Sequence, residues 1–271
     1  TFEVEYPAGH SWHVERVSHA FAIPPARLEL QPTAAEGGKR AFELFAERNP
    51  GVRELKLKAW AVPEAPVGPA SIALDADQSS AVFTVETVGD GQVRTLHVGV
   101  QDAQGAVLAE TVSTAFWDEA PLPEDNLALA TLGTKVMTDT SYSGYDPSPL
   151  TDGITDGAEL HWTRQAWASA DNSEPHWIEL RFATPEKVGS VWLYWSTDGG
   201  KTQTSQQYRV LGLTDGEPVE LAVVNSQADC SLSQHTFAPA TLSGIRIEQA
   251  AKGGPKQRPG IMWLREAAVR R

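Results

Sequence analysis

The sequence predicts an all-β chain built as tandem β-sandwiches, and three observations lead there. Short runs alternate apolar and polar residues with period two: Phe2, Val4 and Tyr6, then Leu55, Leu57 and Ala59 against Lys56, Lys58 and Trp60, then Leu96, Val98 and Val100. Turn signals such as Gly89-Asp90-Gly91 and Ala103-Gln104-Gly105 separate these runs, as hairpin-rich folds require. At 271 residues the chain exceeds one small sandwich and points to two or three units, each burying its own core.

Taken in chain order, the first stretch, 1–62, is either a further small β unit or the remnant of a larger upstream domain, because the run from His10 to Pro25 shows no pattern. Within it, Lys39 to Arg48 (KRAFELFAER) fits a strand or a single helical turn; the surrounding period two favours the strand. Proline clusters at Pro63, Pro66 and Pro69, and again at Pro121 and Pro123, mark linkers. Between them, 63–123 carries strands of sandwich length and suits an Ig-like or fibronectin-like unit. The second proline cluster is the clearest boundary, giving a last unit over 124–271.

Composition excludes several functions. With 35 acidic against 22 basic residues the net charge is -13, which repels nucleic acid and anionic membranes at long range. No apolar run reaches the ~20 residues of a membrane helix. The chain begins at Thr1 without a basic-then-apolar leader and is expected to be an excised or processed piece. The single cysteine, Cys230, rules out an intrachain disulfide and a cysteine-based zinc site; no basic partner stands beside it in sequence, so it is expected to be a bystander. His10 and His13 flank Trp12, but no third ligand is placed with them. No nucleophile elbow, His-Glu-x-x-His, phosphate-binding loop or dinucleotide fingerprint occurs.

From Asn126 the texture changes, with six of the nine tryptophans in the remaining residues. The run NLAL, then Ser141–Gly153 (SYSGYDPSPLTDG), His176–Phe182 (HWIELRF), Val188–Gly200 (VGSVWLYWSTDGG), Gln207–Val210 and Met262–Val269 resembles, in order and spacing, the discoidin-like (F5/8 type C, galactose-binding-like) domains appended to bacterial carbohydrate-active enzymes. The residues agree independently: Ile178, Leu180 and Phe182 share one strand face, with Trp177, Glu179 and Arg181 on the other, and Val191, Leu193 and Trp195 repeat the pattern. The resemblance implies a jelly-roll sandwich whose closing run lies beside its own first strand.

It also implies sites. A structural Ca²⁺ in the family sits where an Asp-Gly loop meets an acidic residue near the C-terminus, positions matched by Asp152 and Glu266. The loop here runs longer before Trp162, so Asp156 and Glu159 are substitutes to consider, and the alternative is a plain turn with Glu266 paired to an arginine. Carboxylates and loop carbonyls are the ligands a hard cation requires. Sugar recognition needs aromatic faces flanked by planar polar groups, and Tyr142, Tyr145, His161, Trp162, Arg164 and Trp167 cluster in the family's ligand-side loops. Trp162 matches a position usually buried, so Trp167 and Arg164, with Tyr142, Tyr145 and His161, are the expected ligands. The polar loop Ser196–Ser205 is either a rim of that site or a simple hairpin connection.

The functional expectation is a non-catalytic, glycan-binding ancillary region of a larger secreted or cell-surface bacterial glycoside hydrolase, with the parent catalytic domain as its other partner and no nucleic acid or membrane insertion. The alternative is a structural module that packs on that catalytic domain without binding sugar.

Overall fold

The computed structural model describes residues 25–33, 38–108, 112–156 and 159–271 in full, and the backbone course of 2–8, 11–17, 34–36 and 109–111. A hairpin of β1 (Phe2–Ala8) and β2 (Ser11–Val17) comes first. The His10 and His13 side chains lie outside the described residues. Eight strands follow: β3 (Ala26–Glu36), β4 (Lys39–Arg48), β5 (Leu55–Val62), β6 (Val67–Gly68), β7 (Ser71–Leu74), β8 (Ser80–Glu86), β9 (Arg94–Gln101) and β10 (Val107–Phe116). They form two four-stranded antiparallel sheets, β3-β4-β8-β6 and β10-β9-β5-β7. Phe42, Leu44, Phe83 and Val85 from the first and Leu55, Leu57, Leu96 and Val98 from the second bury a shared core. Period two is the cause: in β5, Leu55, Leu57, Ala59 and Ala61 point inward while Lys56 and Lys58 stay in water.

This corrects the expected division at 62/63. β4 pairs with β8, and β5 pairs with β9, so the cut would remove three of the sandwich's strands and half of its core. The prolines at 63–69 sit in a connection inside one unit. Lys39–Arg48 is a strand throughout, its Phe42, Leu44 and Ala46 buried and its alternate residues outward.

The C-terminal sandwich comprises β11 (Lys135–Thr138), β12 (Trp167–Ala168), β13 (His176–Trp195), β14 (Thr197–Asp198), β15 (Lys201–Thr202), β16 (Tyr208–Leu213), β17 (Val219–Val224), β18 (Leu232–Gln249) and β19 (Trp263–Arg270). Its main sheet runs β12-β19-β13-β18-β16-β17, with β11 on β13. The long strands β13 and β18 break register between Arg181 and Glu186 and between Val188 and Ser190, and such irregularities bend strands. The sheet thereby folds over a core of Ile178, Leu180, Val191, Leu193, Trp195, Ile245, Ile247 and Leu264. The ends meet as expected: Leu127 N donates to Val269 O (2.7 Å) and Val269 N to Asn126 Oδ1 (3.0 Å).

The two sandwiches are docked. Ser231 N donates to Gly91 O at 2.7 Å, and Val93 N donates to Asp229 O at 3.2 Å. The Tyr194 hydroxyl, on the face of β13 opposite the core, reaches Ala120 O and Pro121 O at 3.1 Å. Tyr194, Leu232 and Ala268 pack with Ala120, Leu122 and Trp192 as a small separate apolar cluster.

Candidate functional site

An aromatic cluster stands where the loop after β11, the turn at 161–165 and the start of β19 converge. Tyr145 is its hub, meeting Trp162 edge to face at a centroid distance of 4.9 Å, Trp263 at 6.2 Å and Tyr142 at 6.4 Å. Burial raises the Tyr145 phenol above its ordinary value, because the ring is enclosed by its neighbours. Tyr142 is 43% exposed and Trp162 51%. Arg258 holds its guanidinium 5.8 Å from the Tyr142 ring and 5.6 Å from that of Trp263, while bonding Asp171 through Nε (3.1 Å) and Nη2 (2.8 Å). The Trp263 Nε1 is buried and has no hydrogen-bond partner among the described residues. An indole N–H left so is costly unless something accepts from it. Exposed ring faces and a planar Arg–Asp pair are functional groups that a polyhydroxylated ring requires.

The structure reverses the expected roles of two tryptophans. Trp167 was expected to face ligand, but it is fully buried: β12 pairs it with Leu264 of β19, and its Nε1 donates to Ser141 Oγ at 2.9 Å. Trp162 was expected in the core, yet it lies on a 3-10 turn (Trp162–Arg164) and projects outward. Tyr142 and Tyr145 belong to the cluster, and His161 lies 5.3 Å from the Trp162 ring and holds Thr163 Oγ1 at 2.9 Å through Nδ1. Arg164 is exposed, and its charge acts on Asp146 and Asp152, which sets it toward carboxylates. Sequence reasoning missed Trp263, Arg258 and Asp171. Trp263 was legible as the outward residue between the buried Met262 and Leu264; nothing in the sequence pattern marks Arg258 or Asp171, because a long-range ion pair leaves no local period.

Ser196–Ser205 is in part a hairpin, β14 with β15 turning through Gly199 and Gly200, both at positive φ. Its second half is buried at Thr202, Gln203, Thr204 and Ser205, so it is not a rim throughout. Two clefts, of about 440 and 640 Å³, lie on the outer face of β13, β18 and β16 around Trp177, Arg209, Arg246 and Glu248. The aromatic cluster lines neither of them.

Asp152 and Glu266 do come together. Gly153 N donates to Glu266 Oε2 at 2.8 Å, and Ile154 N to Asp152 Oδ1 at 2.8 Å. Glu266 is fully buried, and its Oε1 has no hydrogen-bond partner among the described residues. Burial, with the Asp152 charge adding to it, pushes the Glu266 carboxyl up to about 8. Burial also raises Asp152, against the Ile154 N–H that pulls it down. Two close carboxyls that resist ionisation and an orphaned buried oxygen fit a hard cation, which would remove the repulsion and supply the missing partner. Asp156 and Glu159 are exposed, and no group of three acidic, histidine or cysteine side chains suited to a metal occurs among the described residues; Asp156 therefore does not join the pair. Arg265, next to Glu266, pairs with Glu119 (2.6 Å), so the expected alternative of a Glu266–arginine pair is not formed.

Residues 135–261 match the family model of the F5/8 type C domain, so the C-terminal half carries a domain of that family. Among solved structures, the family 32 carbohydrate-binding module of NanJ from C. perfringens, in complex with galactose, is similar at 14% identity and a TM-score of 0.44, covering 54% of this chain and 97% of that one. The lectin domain of lectinolysin, complexed with Lewis B antigen, is similar at 18% identity and 0.45, covering 55% and 99%. Chitosan-binding module 1 of a chitosanase/glucanase from Paenibacillus sp. IK-5 is similar at 20% identity and 0.43, covering 53% and 97%. No curated protein matches the chain.

Proposed function

We propose that this chain is a non-catalytic glycan-binding region, and that the sugar stacks on Trp162 and Tyr142 above the Tyr145 hub. The observation that carries this reading is the exposed ring cluster of Trp162 and Tyr142 with the Arg258–Asp171 pair beside it. The Arg–Asp pair offers a donor and an acceptor to neighbouring hydroxyls. A domain type that serves carbohydrate binding supports the assignment, as do the glycan ligands of the similar modules. In this reading the region belongs to a larger secreted or cell-surface bacterial glycoside hydrolase, whose catalytic domain is its other partner. Ca²⁺ would be held by Asp152 and Glu266 with carbonyls of the 152–155 loop, fixing that loop. A small ligand on an open platform gives weak affinity, about micromolar to millimolar.

The test is a glycan-array screen of the whole chain beside Trp162→Ala. Binding to a defined glycan that falls at least ~10-fold in Trp162→Ala, with an unchanged melting temperature, is the expected result. A folded wild-type chain that binds no glycan would transfer the ring cluster to the alternative role, packing on the parent catalytic domain.

A further inference from the structure

His176 opens β13 and is completely buried. Its Nδ1 lies 2.8 Å from Asp139 Oδ2 and its Nε2 3.0 Å from Gly260 O. Asp139 ends the segment that leads into Tyr142 and Tyr145, and it is fixed there by Trp177 N, which donates to Oδ1 at 3.0 Å, and by the Thr140 hydroxyl, which donates to Oδ2 at 3.0 Å. Gly260 lies between Arg258 and Trp263, and its carbonyl also accepts from Asn172 N at 3.0 Å, beside Asp171. One imidazole thus ties the Asp139 segment, which leads to Tyr142 and Tyr145, to the Gly260 segment, which lies between Arg258 and Trp263 and in turn holds Asn172 beside Asp171. We propose that His176 is the positioning residue for the Tyr142 and Arg258–Asp171 side of the glycan site, joining the Asp139 and Gly260 segments through its two ring nitrogens; this inference rests on the glycan-binding reading.

Proton placement follows from the partners. A carbonyl only accepts, so Nε2 carries a hydrogen. The Asp139 carboxylate already accepts from Trp177 N and the Thr140 hydroxyl, and it holds the other ring nitrogen, Nδ1, at 2.8 Å. Asp139 is the charged group that meets the ring. The Arg258–Asp171 pair sits on two of the joined segments, and on the neighbouring strand the cross-strand partner is Gln249, which carries no charge. The hydrogen bonds that hold Asp139 keep its carboxyl below the ordinary value although burial acts the other way.

The experiment reads positioning and binding separately. Amide exchange at Asn172 and Tyr142 is measured without ligand, and affinity is measured by NMR titration with galactose and with chitotriose. His176→Phe exchanges at least ~10-fold faster at Asn172 and loses affinity by a similar factor. Asp139→Asn keeps a hydrogen-bonding partner for Nδ1 and so keeps protection and affinity, whereas Asp139→Ala loses both; this pair decides the matter if His176→Phe does not fold. Unchanged exchange in a folded His176→Phe, or exchange in Asp139→Ala equal to that of the wild type, would overturn the proposal. If the wild type binds neither sugar, the glycan reading loses its support while the exchange results still decide the role of His176.

Discussion

Trp162 and Trp167 lie five residues apart and differ in what surrounds them: one stands 51% exposed on a short turn, the other has no accessible surface. Local composition cannot separate them, since both are aromatic residues in one polar, turn-rich segment; the deciding fact is that β12 pairs with β19, a contact spanning nearly a hundred residues. Trp167→Ala should therefore cost about 3–5 kcal/mol of stability by emptying the core, and chemical denaturation would reveal it. A loss under 1 kcal/mol would contradict the burial. Glu266 supports a second prediction. Its carboxyl titrates near 8 in the folded chain against an ordinary 4.5, so the folded state binds a proton more tightly than the unfolded one. The Glu266 contribution to stability without metal is then complete below about pH 4.5 and is lost as pH rises toward 8, by an amount of order 4 kcal/mol. The proposed Ca²⁺ would reverse that decline, because the ionised carboxylates would become its ligands. Melting curves in chelator and in calcium chloride, with Glu266→Gln as the control that removes the slope, test this; a flat profile in chelator for the wild type would sink it.

At the scale of elements, period two made the strands legible, and it fails where an element is buried on both faces. In β13, Val191, Leu193 and Trp195 face the core as read, but Tyr194 is equally inaccessible, covered by the linker segment at 120–122. The proline-rich 63–69 stretch was misleading for a related reason: proline marks a chain that leaves a sheet, and it leaves β5 only to return as β7, paired with the same strand. β4 and β5 lie before that stretch and their partners β8 and β9 after it. A fragment of residues 63–123 should accordingly lack dispersed NMR signals, whereas 25–123 should show them. Dispersed spectra from the shorter fragment would restore a boundary at 62/63.

For the whole molecule, the consequential contact is the docking of the two sandwiches, and it rests on one glycine in a turn the sequence marked only as a loop. Gly91 has φ +68, and a Cβ there would stand 2.4 Å from Leu232 N. Its carbonyl accepts from both Ser231 N and Ser231 Oγ, so the two backbones touch with no side chain between them. Close beside it, Arg265 donates to Glu119 Oε1 (2.6 Å) and to Thr155 O (2.9 Å), which ties the linker to the loop following Asp152. Docking and the carboxylate pair are therefore mechanically continuous. Gly91→Val meets both a forbidden φ and a backbone clash, and because it lies outside either core it should separate the sandwiches without unfolding them. The expected outcome is a larger radius of gyration in small-angle scattering, and a single thermal transition in the wild type resolving into two. The proposed Ca²⁺ should then raise only the transition of the C-terminal sandwich, and less than in the wild type, since Arg265, which holds Thr155 O, has lost its Glu119 partner. A Gly91→Val chain as compact as the wild type, melting in one step, would show that the Tyr194 and Arg265 contacts alone hold the units together.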